Sequence, residues 1–177
     1  MSKTRAKQAI LYVCRKLSDE KSFGSTVLNK VLYYIDHANY LHTGKTITGM
    51  GYIRQVNGPT PNPGEFLALK REMMANHELR EEETEFFGRL QKRCVPIHHP
   101  NLTCFTPDEV ALMDTIIDNF VGVTAKNASD LSHQELSWKL ARNMEELPPY
   151  AFLLSEATLN NEDIAWGKKI IASYSRT

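Results

Sequence analysis

The sequence has no excess charge of either sign: 21 Lys and Arg stand against 21 Asp and Glu. That balance removes the bulk field that would hold a polyanion or an anionic membrane surface, so a nucleic-acid role would have to rest on a local patch. Cysteine is scarce. Cys14, Cys94 and Cys104 are an odd number in a chain of 177 residues, which argues against a disulfide scaffold and for a reducing, cytoplasmic setting. No window approaches the roughly 18 unbroken apolar residues of a membrane span. The opening MSKTRAKQAILYVCRKL also lacks the continuous apolar centre of a secretory signal. With 9 Gly and 8 Pro, collagen-like repeats and long disorder are excluded. No internal repeat, low-complexity tract or linker interrupts the chain, so one domain over 1–177 is expected.

What is present is a run of amphipathic segments. Ala6, Ile10, Val13, Cys14 and Leu17 recur at helical steps and predict a helix over 4–17 with Thr4 as its cap. Val27, Leu28, Val31, Leu32, Ile35, Ala38 and Leu41 give residues 25–43 a broad apolar face, and Gly44 suits the left-handed residue that closes a helix. The period then changes. Residues 46–56 read as a strand ending in the turn Asn57-Gly58-Pro59, and Pro59, Pro61 and Pro63 make 58–64 a stiff loop. A short helix follows around Phe66–Met74, then a hairpin of 81–87 and 89–95 about Gly88. Thr106-Pro107-Asp108-Glu109 is a capping box that should start a helix running to about Gly122. Thr124 caps another helix, Ser132 a third through Trp138 to Arg142, and 160–174 closes the chain as a helix. Helices around a small antiparallel sheet and hairpin define an α+β, mainly helical class.

The catalytic and metal motifs fail on geometry. Gly44-Lys45-Thr46 resembles a phosphate loop, but Asn39 stands where the motif needs its first glycine, and helix precedes rather than follows it. Neither a Gly-x-Ser-x-Gly elbow nor a His-Glu-x-x-His pair occurs. His37 and His42, five apart, lie on different sides of their helix. Cys94, His98, His99 and Cys104 offer zinc chemistry at a spacing unlike structural zinc knuckles, and read better as two buried cysteines bracketing a polar turn. Glu81, Glu82, Glu83 and Glu85 read as a solvated edge strand. No catalytic residue, cofactor or metal ligand is assigned.

Asn29, Tyr33, Asp36 and Tyr40 form a polar and aromatic stripe at i, i+4, i+7 and i+11 on the second helix. A solvent face is rarely so aromatic; the stripe is expected to pack on the following strand and loop, with Asp36 and the hydroxyls satisfying buried backbone. The segment Leu28-Asn29-Lys30-Val31-Leu32-Tyr33-Tyr34-Ile35-Asp36-His37, then Gly44-Lys45-x-Ile47-Thr48, Tyr52 and Gly58-Pro59-Thr60-Pro61 resemble the opening signature of the Panacea domain, the SocA-like antitoxin family. The helix start at Thr106, Ala125 to Leu131, and His133 followed by Trp138 resemble that family's second half.

The resemblance implies a bacterial or phage antitoxin that binds and neutralises a cognate toxin protein, with no catalytic role, acting by occlusion or by delivery to a protease, alone or as a homo-oligomer. Asn29, Lys30, Tyr33, Tyr34, Asp36, Gly44, Gly58, Pro59, His133 and Trp138 carry the signature. Because members pair with different toxins, these residues are expected to build the scaffold, leaving the toxin contacts unassigned. Two other classes compete. Residues 125–142 read as a helix-turn-helix, although Lys126, Lys139 and Arg142 are balanced by Asp130, Glu135, Glu145 and Glu146. The first thirty residues are more basic, with seven Lys or Arg against Asp19 and Glu20, but a solvated helix face accounts for them. An enzyme whose site leaves no motif is the other alternative.

Overall fold

In the computed structural model the described residues are 3–154, 165–166 and 168–169. The architecture is α+β, as the periodicities predict. Helix α1 (Lys3–Lys16) and helix α2 (Ser25–Thr43) pack together, α2 holding the boundaries read from its apolar face. Val27, Leu28, Val31, Leu32 and Ile35 are buried with Ala9, Ile10 and Val13 of α1, and with Leu17 just past its end, in one cluster. Gly44, at φ 70°, closes α2 and donates its N–H to Tyr40 O at 2.8 Å. Thr4 lies inside α1 rather than capping it.

The expected strand over 46–56 shortens to β1 (Tyr52–Gln55), and the proline-rich stretch is not a loop but strand β2 (Gly58–Pro61), antiparallel to β1. Proline is tolerated here because β2 is an edge strand. Pro59 stands opposite Arg54, whose N–H and C=O are engaged on the other side with Glu145 O and Met144 N at 2.8 Å each. No hydrogen is therefore asked of Pro59. The third strand, β5 (Glu146–Leu147), pairs with β1 on that side.

Helix α3 (Pro63–Ala75) leads to the hairpin β3 (Leu79–Phe86) and β4 (Arg89–Pro96), joined by the two-residue turn Phe87-Gly88. The capping box at Thr106 forms as read and starts α4 (Pro107–Asp118), which ends one turn earlier than expected, with Phe120 buried beyond it. Thr124 Oγ accepts from Asn127 N at 3.2 Å and caps α5 (Ala125–Ser132). Ser132 does not cap the next helix: it is the last residue of α5, its hydroxyl donating back to Ser129 O at 2.9 Å, and α6 (Leu136–Leu140) starts after Glu135. A 3-10 turn, Pro149–Leu153, then lays Phe152 against α2. The expected helix over 160–174 falls outside the described residues except at four helical positions.

Candidate functional site

The polar stripe of α2 faces inward. Asp36 is fully buried and collects three donors: Thr48 N–H at 2.8 Å, the Tyr52 hydroxyl at 2.7 Å, and the Thr48 hydroxyl. Burial pushes the Asp36 carboxyl up to about 6, and the bonds from Thr48 and Tyr52 pull against that rise. Burial and the facing carboxylate hold the Tyr52 hydroxyl well above its ordinary range, so Tyr52 stays a donor. One carboxylate thus fixes the chain leaving α2 and the first residue of β1. Nearby, Asn39 Nδ2 donates to Lys45 O at 2.7 Å and steadies the same connection.

Six residues before Asp36 on α2, Lys30 is 1% exposed and donates from Nζ to Pro59 O at 2.7 Å. That carbonyl lies on the outer side of the edge strand, where the ladder supplies no N–H, so Lys30 satisfies and covers the edge. Burial lowers the Lys30 ammonium to about 7. Gly58 sits beside it at φ 96°; a Cβ there would stand 2.1 Å from Ser132 Oγ and 2.8 Å from Lys30 Cε. Only glycine combines that backbone with that approach. Lys30, Gly58, Pro59 and α5 therefore meet at one point.

Tyr33 lies between Tyr52, Phe152 and Tyr34 in edge-to-face contacts at 5.1–5.4 Å, and its hydroxyl is 3.2 Å from Ser137 Oγ. Phe152 also stacks on His37 at 4.3 Å, and burial pushes the His37 imidazole down. The second half of the signature closes the assembly. His133 stacks on Trp138 at 4.0 Å, the Arg54 guanidinium lies 4.4 Å from the Trp138 ring, and the indole donates to Gln55 O at 2.8 Å. Trp138 is half-buried and clamps β1.

The two ends of the stripe, Asn29 and Tyr40, are half-buried, and Asn29 lines a groove of about 300 Å³ between α2, β2, α3 and the hairpin. Phe152 and Ser137, which complete the packing of Tyr33, were not read from sequence, since neither carries a motif. Cys94 is buried in β4, but Cys104 is only half-buried in a 3-10 turn. Among the described residues no group of three or more His, Cys, Asp or Glu could hold a metal. The helix-turn-helix alternative loses its recognition helix: α6 has five residues, about 7.5 Å of helix, and Trp138 is turned inward.

The fold and site define an α+β protein in which the signature side chains bind its own second helix to its strands. The chain belongs to the family "Antitoxin SocA-like, Panacea domain", whose sequence model matches residues 28–139, more than half of the 177. That span runs from the start of the α2 signature to just past Trp138. Neither the curated proteins nor the solved structures provide a match. Among the described residues no helix is long and apolar enough to cross a membrane.

Proposed function

We propose that this chain is the antitoxin of a bacterial or phage toxin–antitoxin pair, working in the cytoplasm as a single Panacea domain and neutralising a cognate toxin protein by direct contact. Membership of an antitoxin family over 28–139 carries the reading. The geometry agrees with it in one respect: Lys30, Tyr33, Asp36 and Trp138 spend their polar groups on internal partners. They serve as scaffold, and recognition falls to the surface. A growth assay tests the reading, with the neighbouring open reading frame and this gene expressed separately and together, followed by co-purification. Expected are toxicity of the neighbour alone, rescue on co-expression, and a stable complex. A harmless neighbour, or one still lethal beside abundant copies of this protein, overturns the reading.

A further inference from the structure

The β3–β4 hairpin leans over the starts of α2 and α5 and encloses a groove of about 610 Å³. Strand β4, one wall of the groove, is tied to the α1–α2 connection and the start of α2. Gln91 Nε2 donates to Lys21 O at 2.7 Å, Ser25 Oγ to Lys92 O at 3.0 Å, and Arg93 to Ser18 O at 2.7 Å. Its apolar part is Phe86, Phe87 and Leu90, the last two 88% and 77% exposed. Its charged part is Arg89, Lys92 and Lys126, and no carboxylate lines it among the described residues. Neither α2 nor α5 has an acidic residue in its first turn, so both present the positive end of their dipoles uncompensated. In a chain of zero formal net charge, this is a local cationic concavity around an apolar tip.

Phe87 itself breaks a local rule. The two-residue turn places Phe87 at φ 49° and Gly88 at φ 72°, the left-handed pair for which Asn-Gly is favoured. An aromatic side chain there is strained and solvated at once. Sites that contradict local preference without an internal gain are where function is sought.

We propose that this groove is the toxin-docking face, and that it takes an acidic segment of the toxin carrying an aromatic or branched apolar anchor. Carboxylates of that segment meet Arg89, Lys92 and Lys126, and its anchor packs on Phe87 and Leu90. The exposed apolar tip, Phe87 and Leu90, favours a protein segment with an apolar anchor over a nucleic acid; carboxylates of that segment compete with the exposed Asp130 and Glu83 for Lys126 and Lys92. The proposal rests on the antitoxin reading for the partner's identity, and its test separates the two.

The full chain, isotope-labelled, is titrated with a short glutamate-rich peptide carrying one phenylalanine and one leucine, with a matched lysine-rich peptide, and with a short single-stranded DNA. The expected result is that only the acidic peptide shifts the amide signals of the hairpin tip and of the starts of α2 and α5. Its affinity should fall about tenfold in Arg89→Glu/Lys126→Glu and again in Phe87→Asn. Shifts elsewhere, no shifts, or equal binding of the DNA or the basic peptide overturn the docking face. In the growth assay, rescue by wild type that both variants match overturns the face while leaving the antitoxin reading intact. Absence of rescue by wild type removes the antitoxin reading, and the titration then decides the groove alone.

Discussion

The interior of α2 and the tip of the β3–β4 hairpin use aromatic and charged residues in opposite ways. In α2, Tyr33, Asp36 and Lys30 are buried, and each polar group meets an internal partner. At the tip, Phe87 and Leu90 are in solvent, and among the described residues no carboxylate lines the groove that Arg89 lines. The first pattern stabilises the fold; the second leaves apolar surface and the Arg89 charge open to contact. Residues that carry the fold cannot vary freely with a binding partner, whereas exposed residues at the tip can.

The inward stripe of α2 would be contact surface, and not scaffold, if its variants lost binding without losing stability. Asp36→Ala strands Thr48 N–H and the Thr48 and Tyr52 hydroxyls, at about 1–3 kcal/mol for each buried group left unsatisfied. The expected loss is about 3 kcal/mol, the largest considered, with a lower melting temperature, lower soluble yield and lost neutralisation together. A fully stable Asp36→Ala protein that cannot neutralise would make the signature the interface. Trp138→Ala should cost about 2 kcal/mol, below the usual range for a core tryptophan, because Trp138 is half-buried. Thermal melts of both variants rank the two effects.

Lys30 makes the stability of the α2 interior depend on pH. Its folded-state value is lowered to about 7 from 10.5, so its contribution is fully present above the unfolded value and is lost as pH falls through the folded one. Between pH 7 and 8.5 the wild-type protein should gain about 1.5 kcal/mol as the buried ammonium loses its proton. Lys30→Met keeps the stem and removes the titration, and its melting temperature should lack that rise. Asp36 has the opposite sense: its raised value stabilises below the ordinary carboxylate range, and that gain is lost as pH rises through about 6. Keeping the melts above pH 7 separates the two groups. A wild-type curve parallel to that of Lys30→Met would mean that Lys30 is solvated.

Much of the scaffold was legible because it follows from periodicity and end chemistry. The apolar steps of α2, Gly44 behind it and the capping box at Thr106 are local signals, and they became the elements they predict. Strand β2 was not legible, since its prolines forbid a central strand, and only the tertiary fact that Pro59 faces an already engaged Arg54 permits an edge. Ser132 carried a cap's chemistry but lies within a buried turn of α5, where its hydroxyl bonds backward. Asp36 was readable as a buried acceptor, but Thr48 and Tyr52 as its donors depend on how the 46–50 segment folds back. The docking groove joins residues about 100 positions apart, as with Ser25 and Lys126, and no periodicity reports that. Its one sequence signal was the Phe86-Phe87-Gly88 turn, an aromatic residue where Asn-Gly is the expected pair.

That turn supplies the smallest effect and the sharpest contrast with α2. Phe87→Asn places a residue suited to φ 49° in a position that contributes little to the core. Left-handed backbone costs a bulky residue roughly 1–2 kcal/mol, and asparagine recovers part of it. Loss of the ring forfeits little packing, since Phe87 is 88% exposed and meets Phe86 edge to face at 4.6 Å. The variant should therefore be more stable than wild type by about 0.5 kcal/mol, while neutralisation in the growth assay weakens. Stability and function move in opposite directions here, whereas at Asp36 they fall together. A Phe87→Asn protein that melts lower than wild type would show that the ring supports the hairpin, and the tip would then belong to the scaffold.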